Sequence, residues 1–181
     1  TVGGSTQVRP NQIDPEPLPI SQNQIDRWKD NASAGGVTTT DVSINGTKTL
    51  GPIQIGTSGN PRNLTVTNGS TLIISGTIYV TGNIIFNNGA TVKLESGYGS
   101  LSGIIIADGV ITVENNVIIN GSGQAGSYIL LLSTKSDTTN PVIDIRNNSA
   151  GSVIYYSNSG LIYLKNNMRA REVTGYKIQL E

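Results

Sequence analysis

Five side chains in the C-terminal half of the chain could form a chemically active group: Glu114, Asp144, Arg146, Tyr163 and Lys165. Two carboxylates beside a guanidinium are the parts used for acid–base work on glycosidic bonds. In the strand register derived below, Thr112 and Asp144 share one outward column, and Asn87, Glu114, Arg146 and Lys165 share the next. That register sets Glu114 and Asp144 about 5–7 Å apart across neighbouring strands, a separation at which a carboxylate pair can work. It also sets Glu114 opposite Arg146, and an exposed cross-strand ion pair of that kind contributes less than about 1 kcal/mol. No third carboxylate and no basic cluster joins them. The five are therefore read as a possible ligand face, with Tyr163, Arg146 and Lys165 able to stack on and charge-pair with a glycan or DNA, and the chain is read as a non-enzyme.

Composition removes most other chemistry. The chain has no cysteine and no histidine, which excludes thiolate and imidazole metal sites, cysteine nucleophiles and every histidine-based triad. Lys plus Arg is 12 and Asp plus Glu is 12, so no long-range field of either sign steers the chain to a polyanion or an anionic membrane. Asp108-Gly109 reads as a lone turn, and Asp137 with Thr138, Thr139 and Asn140 is the one loop where a weak Ca²⁺ site is conceivable. No catalytic, metal or cofactor site is expected, and no apolar run is long enough to span a membrane. Thr1 is not a natural start, so the sequence is read as a processed or trimmed piece of a longer precursor.

The elements that must carry these residues repeat along the chain. A short apolar strand after a Gly or Ser recurs at Ile53-Gln54-Ile55, Ile78-Tyr79-Val80, Ile105-Ile106-Ala107, Ile129-Leu130-Leu131, Ile154-Tyr155-Tyr156 and Ile178-Gln179-Leu180, with separations of 25, 27, 24, 25 and 24 residues. A second strand follows in each unit, as in Leu64-Thr65-Val66 and Ile143-Asp144-Ile145. It runs directly into an Asn corner such as Asn87-Asn88-Gly89 or Arg146-Asn147-Asn148. A third, less regular strand closes the unit. Self-similarity at this period marks a solenoid, in which each coil is too thin to bury its own apolar face and stacking makes one core. Asn suits the corners because it tolerates left-handed backbone geometry. The fold expected is all-β, a right-handed single-stranded parallel β-helix of about 24-residue coils with three short strands each, over residues 37–181.

Residues 1–36 read as a linker carrying one helix at about 21–33. Ser21 is its N-cap, Gln24 completes a capping box, Ile25, Trp28 and Ala32 share a face, and Gly35-Gly36 ends it. A helix this short is marginal alone and must dock. The first strands supply a place, because their outward positions are apolar where polar residues are expected: Tyr79, Ile104, Ile106, Tyr128, Leu130, Val153 and Tyr155. Such a stripe marks an interface. Leu18, Ile20, Ile25 and Trp28 of the leading segment are expected to cover it. The alternatives are a second subunit or ligand on the stripe, and a helix that caps the end of the solenoid.

The segments GTIYVTGNIIFNNGATVKLESGYGSLSGIIIADGVITVENN and GSGQAGSYILLLST, the closing VTGYKIQL and the leading PISQNQIDRWK resemble a solenoid domain of pilus-assembly proteins. These are large pilin-like surface proteins, and the resemblance covers roughly residues 15–181. It implies an extracellular or cell-surface location, a structural or adhesive role, other pilin-like subunits as partners, and contact with surface glycans or DNA at an appendage tip. A hydrophobic pilin helix normally precedes the solenoid in that family.

Overall fold

The structure, a computed structural model, describes residues 18–181. Of the linker segment expected over residues 1–36, residues 1–17 lie outside them. The chain is a parallel β-helix in which, among the described residues, every strand pairing is parallel apart from a short return of Asn60–Pro61 on Gly56 and Thr57. One face stacks Val37–Thr38, Ile53–Thr57, Ile78–Val80, Gly103–Ala107, Ile129–Ser133 and the first half of Val153–Leu164. The second stacks Val42–Ile44, Leu64–Val66, Ile84–Phe86, Ile111–Val113, Asp137–Ile145 and the second half of Val153–Leu164. The third stacks Thr47–Leu50, Thr71–Ile74, Thr91–Leu94, Ile118–Asn120 and Ala150–Gly151. The solenoid therefore begins one coil earlier than its most regular repeats.

Side chains alternate across each strand, so every second residue points inward. Ile78 and Val80, Ile84 and Phe86, and Leu72 and Val92 are each fully buried in one continuous core. The corner between the second and third faces needs a residue at positive φ in every coil. Gly supplies it at Gly46, Gly69 and Gly89, and Asn at Asn116, Asn148 and Asn167, the last three at φ of 59–60°. Backbone pairing continues through these corners, as in Gly89 N–H to the Asn115 carbonyl at 3.0 Å and Asn148 N–H to that of Asn166 at 3.1 Å. A side-chain ladder forms at the opposite corner. The amides of Asn63, Asn83 and Val110 donate at 2.8 Å each to the side-chain oxygens of Asp41, Asn63 and Asn83.

The register departs from the sequence reading in the last coils. Ile105 pairs with Leu131, not Ile129, and Ile129 pairs with Val153. A one-residue slip in a strand exchanges its two faces, so Val153 and Tyr155 point into the core, at 0% and 1% exposure, while Ile154 and Tyr156 face outward in the stripe. Ile129 stands two positions before the residue that pairs with Ile105, which keeps its face, whereas Ile154 stands one position after the partner of Ile129, which does not. Ile178-Gln179-Leu180 is also reassigned: it pairs with Ile162, Tyr163 and Leu164 on the second face, and Glu172, Val173 and Thr174 take the first. The third face has shrunk to a single bridge between Ala150 and Arg169, which shortens this coil.

Candidate functional site

The leading helix, Gln22–Ala34, lies along the solenoid axis on the first face. Ser21 caps it by accepting from the Gln24 amide at 3.3 Å. The reciprocal arm of the capping box is diverted, because Gln24 Oε1 accepts from Arg27 at 2.7 Å. Thirteen residues span about 20 Å at 1.5 Å each, and four rungs at about 4.8 Å span nearly the same distance. Consistent with that match, Ile20 at one end meets Tyr156, its amide donating to the phenol oxygen at 3.3 Å. At the other end Gly35 packs so closely on Pro52 that a Cβ would stand 2.2 Å from the proline carbonyl oxygen. Ile25 is fully buried in a cluster with Ile106, Leu130, Leu132 and Tyr156, against which Leu18, Ile20, Trp28, Tyr79, Ile104, Tyr128 and Ile154 pack. The helix thus covers the side of the solenoid rather than its end.

A polar contact fastens the helix where the apolar cluster thins. Lys29 Nζ stands 2.5 Å from Asp108 Oδ1 and 4.7 Å from the centre of the Tyr79 ring. The Tyr79 hydroxyl donates to Asp108 Oδ2, and Thr134 Oγ1 donates to Oδ1 at 2.7 Å. Burial, and then the Asp108 carboxylate, push the Tyr79 phenol well above the ordinary tyrosine range. Asp108 reads in sequence as a turn residue. Its role depends on Lys29, which lies 79 residues away, so local pattern carries no sign of it.

The second face brings together Glu114, Asp144, Arg146, Tyr163 and Lys165. Thr112, Asp144, Tyr163 and Gln179 form one outward column, and Glu114, Arg146 and Lys165 follow in the next. Arg146 bridges both carboxylates, with Nη1 3.3 Å from Glu114 Oε1 and Nε 3.3 Å from Asp144 Oδ2. The second oxygen of Glu114 accepts from the Asn88 amide at 3.2 Å, and Asp144 Oδ1 is buried without a partner. Lys165 Nζ lies 5.1 Å over the Tyr163 ring. The Glu181 carboxylate, accepting from the Tyr163 hydroxyl, raises that phenol above its ordinary range, with a smaller share from Asp144. Arg146 thus ties the two carboxylates into one three-membered ion-pair network on the surface of the second face.

Asp137 is committed locally. Oδ1 accepts from the amides of Thr139 and Asn140 at 2.9 and 2.8 Å, and Oδ2 from Asn140 Nδ2 at 3.1 Å. These donors hold its carboxyl below the usual range, and they occupy oxygen lone pairs that a Ca²⁺ site would need. Among the described residues no helix is long and apolar enough to cross a membrane. Comparison with known proteins adds nothing to these observations: no family model, no curated protein and no solved structure matches the chain.

Proposed function

We propose that this chain is a non-catalytic, extracellular β-helix module of a pilus-like or other cell-surface appendage, with a structural or adhesive role. The observation that supports the non-catalytic part is the sharing of Arg146 between Glu114 and Asp144, the arrangement of an ordinary surface ion-pair network. The appendage part is supported by the resemblance of the YGSLSGIIIADG and GSGQAGSYILLLST blocks to solenoid domains of pilus-assembly proteins. The wider build fits that role: a rod of stacked coils with balanced charge and outward Thr and Asn suits display in a solvent of variable composition. The test has two arms. Antibody against the chain should label intact source cells and co-purify with sheared appendages. The purified protein should release neither reducing ends nor unsaturated sugars from a panel of polysaccharides. Label confined to the cell interior, or sugar release that disappears in Asp144→Asn, defeats the proposal.

A second reading treats the Tyr163–Lys165 pair as a contact for glycan or DNA at an appendage tip. It is favoured by the cation held over an outward aromatic ring, an arrangement that stacks on sugars and bases. A glycan array and a salt-dependent DNA shift, each repeated with Tyr163→Ala, separate it from a purely structural role.

A further inference from the structure

The leading helix covers only part of the apolar stripe. It presses on the outward column that contains Tyr79, Ile106 and Leu132, and beside it runs a second column, Ile104, Leu130 and Ile154, joined rung to rung in register. That second column is the floor of an open cavity of about 280 Å³. Trp28 and Tyr156 wall it on the helix side, and Tyr128 stands on the other. Three rungs at about 4.8 Å give a floor about 10 Å long. The groove has a charged end: Glu172 lines it, accepts a hydrogen bond from Thr174 at 2.6 Å, and has no ion-pair partner among the described residues. The nearby cation, Arg171, is held over the ring of Tyr128, one wall of the groove, at 5.1 Å and makes no ion pair with Glu172.

We propose that this groove is a binding site for a small amphiphile with an apolar chain or ring about 10 Å long and a cationic end, the apolar part lying on Ile104, Leu130 and Ile154 and the cation at Glu172. Two physical arguments select this class. An apolar floor with aromatic walls gains by excluding water from an apolar body. A carboxylate with no ion-pair partner among the described residues, beside the rings of Trp28 and Tyr156, favours an ammonium over a neutral or anionic end. The proposal is independent of where the protein is displayed, so it stands or falls separately from the appendage reading.

Trp28 is the single tryptophan of the chain and lines the groove, so its emission is an intrinsic reporter. The probes are decyltrimethylammonium, decanol and decyl sulfate, titrated into the 181-residue chain below their aggregation concentrations. The expected result is a saturable change in Trp28 emission, tightest for the ammonium and weakest for the sulfate. Glu172→Gln should weaken the ammonium about three- to tenfold and leave decanol unchanged. Ile104→Phe and Ile154→Phe, which fill the groove from its floor, should weaken all three probes. Equal affinity for the three head groups, or a response that survives both the filling and the charge variants, overturns the proposal. So does a ligand-free dimer in which Trp28 is already shielded, since the occupant would then be a second copy of the chain.

Discussion

Lys29 of the leading helix and Asp108 of the fourth coil meet at 2.5 Å, and the same carboxylate takes the hydroxyls of Tyr79 and Thr134. One side chain of the solenoid thereby gathers three donors and fixes where along the axis the helix lies. Hydrophobic contact alone is non-directional; this contact supplies the direction.

Asp108→Asn and Lys29→Met should each lower stability by about 1 kcal/mol, because both side chains remain partly exposed, at 33% and 21%. Ile25→Ala removes a fully buried anchor and should cost more, about 2–4 kcal/mol. Chemical denaturation followed by Trp28 emission measures all three. Ile25→Ala should also increase binding of a hydrophobic dye, as the stripe is uncovered.

Alkaline pH should unfold the protein. Burial raises the phenols of Tyr79, Tyr155 and Tyr156, with Asp108 adding to the shift at Tyr79. A group whose folded pKa lies above its unfolded value contributes stability that is fully present below the unfolded pKa, about 10 for tyrosine. That stability is lost as pH rises toward the folded value. Absorbance of ionised tyrosine should therefore lag behind a model peptide and then rise together with loss of the β circular-dichroism signal. Independent titration of all tyrosines in a folded protein would contradict this.

The register has a sharp test. Val153→Asp places an unpaired charge in the core and should prevent folding, as should Leu131→Asp. Ile154→Asp lies on the half-exposed outward column and should fold with reduced stability. If Ile154→Asp abolishes folding and Val153→Asp does not, the register is off by one residue.

Arg146→Ala should cost about 1–2 kcal/mol, more than Glu114→Gln, because it leaves two carboxylates facing each other, one of them only 15% exposed. The double variant Arg146→Ala/Glu114→Gln should recover part of that loss. A double-mutant cycle on thermal melting measures it, and strict additivity of the two costs would show that the bridge is energetically silent.

The corner asparagines Asn116, Asn148 and Asn167 hold left-handed backbone at φ of 59–60°. Asn148→Gly should be neutral or slightly stabilising, whereas Asn148→Ala should cost about 1 kcal/mol, since Ala enters left-handed backbone less readily than Asn or Gly. Melting temperatures of the two variants distinguish these outcomes.

Local residue types alone determined the coil. Alternating branched residues demand a two-sided strand, Gly or Asn demands a corner, and their recurrence at a near-constant period demands stacking. The same logic placed the second-face columns of Asp144 and Arg146 correctly, because Ile143–Ile145 and Ile162–Leu164 each carry a polar residue between two branched ones. It failed at Val153–Tyr156, where four consecutive residues are apolar or aromatic and either alternate set could face the core. Only pairing with Ile129 and Leu131 breaks that tie, and the choice moves Tyr155 inside and Tyr156 out. The helix was legible as a helix, from its cap and its apolar face, and its need for a dock followed from its length. The apolar stripe also told on which face it docks; the polar contacts that fix its place along the axis were not legible. Lys29 and Asp108, or Ile20 and Tyr156, are joined across 79 and 136 residues, and nothing short of the stacked coils brings such partners within reach. The groove beside the helix exists for the same reason: a straight helix covers one column of a two-column stripe, and only the packed structure reveals which column is left open.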